Sequence, residues 1–386
     1  MERARPRASS TNPLEELAAL GQSIWLDFLS RRFVEQGNLA RLIDQDGLCG
    51  VTSNPSIFEK AIAKGDEYEP ALRELLRASD AEPAALYEAL AVEDIQKAAD
   101  VLRKVFDATD GRDGYVSLEV SPYLAHDTKA TIEEARRLWR KVARDNVMIK
   151  VPASAEGIPA IRALTAEGIN VNVTLLFSQE VYERVAEAYL SGVEERLRHG
   201  QDVQKLRSVA SFFVSRIDTA VDKRLDDRIA SVDTAERARL EALKGKVAIA
   251  NAKLAYQRYR RIFAGERWKA LADRGVHEQR LLWGSTGTKN PAYSDVRYIE
   301  ELIGPDTVNT VPPATLDAFR DHGKVRATLE KNVPEAEHVL QALAAAGIAL
   351  QEVTAELLDD GVRRFADDFT KLLETIAQQK SQMSRH

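Results

Sequence analysis

The amino-acid sequence predicts an α/β fold, a (β/α)8 TIM barrel with additional helical insertions and C-terminal helices. Eight short apolar runs alternate with long amphipathic stretches, and neighbouring parallel strands need such a crossover between them. Eight is also the number of strands that closes this barrel. A doubly wound open sheet that bound a dinucleotide would carry a G-x-G-x-x-G turn after a strand, and none of the runs is followed by one.

The runs are SIWLDFLS (23–30), LCGVTS (48–53), YVSLEVS (115–121), VMIKVPA (147–153), INVNVTLLF (169–177), VASFFVS (209–215), RLLWGST (280–286) and TVNTVP (307–312). Val, Ile, Leu and aromatic residues dominate them and turn or cap residues bound most of them, as strands require. In the intervening segments, such as 130–144 and 179–195, apolar residues recur at helical spacing. Three stretches exceed a bare barrel: about 60–108, 218–275 and 326–386 are long, charged and helical in pattern. The last contains EVTAELLDDGVRRFADDFTKLLETI, whose apolar positions lie three and four apart. Packing on the barrel body is the role expected of it, in preference to a lid. The opening MERARPRASSTNP is basic and proline-containing. Residues 1–22 therefore read as a disordered tail and lead-in, and 23–386 as one barrel domain.

Composition limits the setting. The chain has 386 residues, a formal charge of -6 and a pI near 5.7, which argues against nucleic acid or an anionic membrane as partner. A lone cysteine, Cys49, provides no internal disulfide framework and suits a reducing compartment. No run reaches transmembrane length and the start lacks an apolar signal core, so a cytoplasmic location is expected. The six histidines show no H-x3-H or H-E-x-x-H spacing, and no metal site is expected.

In a barrel of this kind the chemistry belongs at the C-terminal strand ends, and polar residues concentrate there. Lys150 stands inside the apolar run VMIKVPA, where burial disfavours an ammonium and frees an amine for attack on a carbonyl. Asp27, Thr52, Asn54, Glu119, Thr174, Ser211, Arg216, Ser285 and Lys289 sit at the ends of six further runs. Side chains alternate along a strand, so Ser117 shares a face with Glu119, Met148 with Lys150, and Asn172 with Thr174. A single such residue would more often be a satisfied hydrogen bond at a strand end. Seven strands contributing at once point to a site.

GVTSNPSIFEKAI (50–62), VSLEVSPYLAHDT (116–128), IKVPAS (149–154), NVTLLFS (172–178), FFVSRIDTAVDK (212–223) and WGSTGTKNPAYSD (283–295) together resemble transaldolase, in particular its larger bacterial form. The resemblance runs from about Ser23 through the eighth strand. It implies cofactor-free transfer of a dihydroxyacetone unit between sugar phosphates through a lysine Schiff base. Lys150 matches the nucleophile, Asp27 the acid–base at the C4 hydroxyl, and Glu119 with Thr174 the pair that holds the catalytic water. Thr52, Asn54 and Ser211 match positions that bind the dihydroxyacetone hydroxyls, and Phe213 an aromatic beside the lysine. Arg216 matches the phosphate arginine, with Ser285 and Lys289 completing the cradle. The chain departs from the smaller transaldolases here: Phe212 replaces a proline, Ser215 a glycine, and the route from Ser285 to Lys289 is longer.

Read singly, these residues have plainer roles. Asp27 could cap a helix, Thr174 could be an ordinary strand residue, and Glu119 could pair with Lys150 directly instead of through a water. Simple cleavage of fructose 6-phosphate is the nearest rival activity, and a non-catalytic phosphosugar-binding barrel the rival from another class. Sugar phosphates are the expected partners; monomer and homodimer both stay open.

Overall fold

The computed structural model describes residues 12–64 and 66–383. All eight runs become strands: β1 (Gln22–Asp27), β2 (Gly50–Thr52), β3 (Tyr115–Glu119), β4 (Val147–Pro152), β5 (Val171–Leu176), β6 (Ser208–Phe213), β7 (Gln279–Gly284) and β8 (Thr307–Val311). They close into a barrel in sequence order, and every neighbouring pair is parallel, β8 returning to β1.

Alternation stacks the interior in layers, as a filled barrel requires. Trp25, Tyr115, Met148, Val209, Leu282 and Val308 form one apolar cluster. Gly50 is needed beside it, because a Cβ there would lie 2.6 Å from the Trp25 ring. One inward position further along, β3, β5 and β6 carry a polar chain: Ser211 Oγ donates to Asn172 Oδ1 at 2.7 Å and Asn172 Nδ2 to Ser117 Oγ at 3.0 Å. One position beyond lie Glu119 and Lys150, which are register partners on β3 and β4.

The stretches expected to exceed the barrel are helical. Pro55–Lys64, Glu69–Ala78 and Pro83–Ala108 follow β2; Ser215–Ile229, Thr234–Glu241, Val247–Ile262 and Glu266–Ala272 follow β6; Val333–Ala345 and Leu350–Met383 follow the helix after β8. Of the expected tail, residues 1–11 lie outside the described residues, and Pro13–Ala19 forms a helix. Its signals are ordinary ones that the tail reading passed over. Asn12 caps it by accepting from the Leu14 amide, Pro13 opens it, Glu15 and Glu16 sit in its first turn, and Leu14 and Leu17 are buried. The C-terminal helix Leu350–Met383 packs on the body as expected and also reaches the barrel mouth. Its far half buries Phe369, Leu372 and Ile376, while Val353, Leu357, Asp360 and Arg364 line the cavity at the barrel mouth. Gly361 makes the close approach possible, since a Cβ there would lie 2.8 Å from Leu175 Cδ2. Among the described residues no helix is long and apolar enough to cross a membrane.

Candidate active site at the barrel mouth

A cavity of about 1040 Å³ opens over the C-terminal strand ends. Lys150 stands in its floor because β4 points alternate side chains inward and the apolar layer fills the space below. Its Nζ donates to the Ser53 carbonyl at 3.0 Å and lies 3.2 Å from Glu119 Oε2, both side chains being 5% exposed. This is the direct contact that the sequence left open beside a water-bridged one. Burial, and secondarily the charge of Asp27, pushes the Glu119 carboxyl above its ordinary range, with Lys150 opposing. Thr174, buried at the end of β5, lines the cavity and its hydroxyl has no hydrogen-bond partner among the described residues. The chain reaches that point through an irregularity in the β5–β6 pairing, where Leu175 adopts φ 59°.

Asp27 ends β1 and also lines the cavity. Its Oδ1 accepts from Thr52 Oγ1 at 2.7 Å, so it does not act as the helix cap that its local sequence allowed. Thr52 Oγ1 in turn lies 2.7 Å from Thr310 Oγ1 on β8. Asn54 has a double position: its Oδ1 accepts from the Ile57 amide at the start of the next helix, and the residue still lines the cavity. Capping therefore fixes its side chain. Ser211 is held by Asn172. Phe213 packs edge-on against Phe177 with centroids 5.3 Å apart.

At the outer wall the Arg216 guanidinium lies 5.5 Å from the centroid of the Phe213 ring and forms no ion pair or hydrogen bond among the described residues. Ser285 bends the chain after β7 at φ 53°, a strained region for a serine. Its hydroxyl lies 3.0 Å from Ser215 Oγ, which ties the turn after β7 to the start of the helix that follows β6. Lys289 is exposed and lines the mouth.

Ten of the eleven residues singled out in the sequence line this cavity, and Glu119 reaches it through Lys150. Thr310, Lys60 and the C-terminal helix were missed. The inward position of Thr310 follows from β8 alternation, but no motif drew attention to it. The helix carried only an amphipathic pattern.

A buried lysine–carboxyl pair under a cavity at the C-terminal face of a closed parallel barrel defines the class: an enzyme site. The model of the Transaldolase/Fructose-6-phosphate aldolase family matches residues 24–376. The transaldolase of Trichodesmium erythraeum is 48% identical over 377 residues, 97% of this chain and 99% of that protein. The transaldolase of Frankia alni is 50% identical over 96% of this chain and 98% of its own length, and that of Thermobifida fusca 49% over 95% and 98%. The chain belongs to the transaldolase/fructose-6-phosphate aldolase family, and its function is that of a transaldolase, a transferase.

Proposed function

We propose that the chain transfers a dihydroxyacetone unit from a ketose phosphate, sedoheptulose 7-phosphate or fructose 6-phosphate, to an aldose phosphate, glyceraldehyde 3-phosphate or erythrose 4-phosphate. The observation that carries this reading is the Lys150–Glu119 contact of 3.2 Å beneath a cavity that Asp27 also lines. Lys150 Nζ attacks the C2 carbonyl of the donor. Glu119, whose raised affinity for a proton makes it a donor beside the amine, protonates the departing hydroxyl of the carbinolamine with Thr174 holding the released water. The iminium that results is an electron sink. Asp27 removes the C4 hydroxyl proton as the C3–C4 bond breaks, the electron pair moves into the iminium to give an enamine, and the aldose leaves. The acceptor aldehyde is then attacked by the enamine while Asp27 returns its proton to the new hydroxyl. Water, activated by Glu119, hydrolyses the iminium and frees Lys150.

Thr52, Asn54 and Ser211 bind the hydroxyls of the retained three-carbon unit, and Arg216 with Ser285 and Lys289 binds the substrate phosphate, where an arginine fork matches the dianion. The test is to supply fructose 6-phosphate with erythrose 4-phosphate and measure sedoheptulose 7-phosphate against free dihydroxyacetone. Sedoheptulose 7-phosphate as the main product supports transfer; dihydroxyacetone released at the same rate without acceptor would make the enzyme a simple aldolase.

A further inference from the structure

We propose that Arg364, on the C-terminal helix Leu350–Met383, is a further ligand of the substrate phosphate, acting from outside the barrel together with Arg216. The proposal rests on the transaldolase reading. Val353, Leu357, Asp360 and Arg364 follow one another at spacings of three and four and line the same cavity as Arg216, so one helix face is turned to the site. Gly361 holds that face against the end of β5.

Four arginines line this cavity, Arg216, Arg224, Arg363 and Arg364, and of these Arg216 and Arg364 come from elements far apart in sequence. Arg364 pairs with Asp360 at 2.5 Å, whereas among the described residues Arg216 has the face of Phe213 and no ion pair or hydrogen bond. Burial first, and then the charge of Arg364, holds Arg216 below the usual arginine range, with Asp360, Asp27 and Asp368 opposing. Two like charges on one wall, Arg216 largely buried and Arg364 exposed, repel, and a dianion accepted by both forks turns that repulsion into attraction. Asp360 serves Arg363 as well, also at 2.5 Å. It can therefore release Arg364 to a phosphate without being left unpaired. A phosphate grip made by this helix would also let the enzyme discriminate phosphorylated sugars from their free counterparts.

The experiment compares wild type with Arg364→Gln and Arg364→Lys, using erythrose 4-phosphate and erythrose as acceptors and fructose 6-phosphate as donor. Losing one charge-assisted contact should raise KM for erythrose 4-phosphate ~10-fold in Arg364→Gln and leave KM for erythrose unmoved. Arg364→Lys should recover part of the loss. Titration calorimetry with inorganic phosphate, which needs no turnover, should show binding weakened by a similar factor. Equal KM changes for both acceptors, or unchanged phosphate binding, would overturn the role of Arg364 and leave the transaldolase reading standing. A wild-type protein that binds phosphate but transfers nothing would overturn that reading, and this proposal with it.

Discussion

Glu119 Oε2 lies 3.2 Å from Lys150 Nζ, and neither side chain is more than 5% exposed. The two meet because β3 and β4 are parallel and in register at these residues. A buried carboxyl that keeps its proton supplies an acid for carbinolamine dehydration; once ionised, it supplies only a counter-ion.

The pH dependence of imine formation follows from this. The Glu119 carboxyl titrates above its ordinary value of 4.5. The protonated form is therefore present below the raised value and lost as pH rises through it, and the rate of dehydration should fall along that limb. Glu119→Gln should flatten the limb and lower the rate by about 10²-fold or more. Borohydride quenching of single turnovers between about pH 5 and 9 reads both effects. An unchanged limb in Glu119→Gln would assign the titration to another group.

Gly361 sets the position of the C-terminal helix over the mouth. A valine would force its side chain into Leu175, whose Cδ2 already lies 2.8 Å from the place of a Cβ. Gly361→Val should cost ~1–3 kcal/mol in urea unfolding, the usual penalty of overpacking. It should also raise KM for the sugar phosphate, since the helix carries the outer cavity wall. A variant with wild-type stability and KM would mean that the helix sits loosely.

Asp218 behind the site gives a second pH signature, this time in stability. Its carboxyl accepts from the Ala248 amide at 2.7 Å and from the Tyr298 hydroxyl at 2.8 Å. Burial nonetheless raises it from 3.8 to about 6. A raised folded value means that the stabilising contribution is full below 3.8 and gone above about 6. The stability of wild type relative to Asp218→Asn should accordingly fall by about 3 kcal/mol between those limits. Urea denaturation at a series of pH values measures the difference, and a gap independent of pH would contradict the shift.

The barrel was legible because eight apolar runs alternate with segments of helical spacing, and the site because polar residues stand at seven strand ends; Ser117 and Glu119, or Met148 and Lys150, share inward faces by the two-residue alternation. Its closure puts those ends around one cavity. Other features had no local signature. Arg364 stands in GVRRFADDF, where charges spaced along a helix read as a solvated face, and the packing of the whole helix, Gly361 on Leu175 included, brings it to the cavity. The double position of Asn54 needed the helix start at Pro55 to be known. The Lys150–Glu119 distance depends on strand register, which short parallel strands do not encode in any single residue.

The central claim is that Lys150 carries the reacting sugar. Incubation with fructose 6-phosphate, reduction with borohydride and peptide mass spectrometry test it most directly. A reduced dihydroxyacetone adduct should form on Lys150 and disappear in Lys150→Ala. A folded, phosphate-binding protein that yields no adduct, or one that carries it on another lysine, would contradict it.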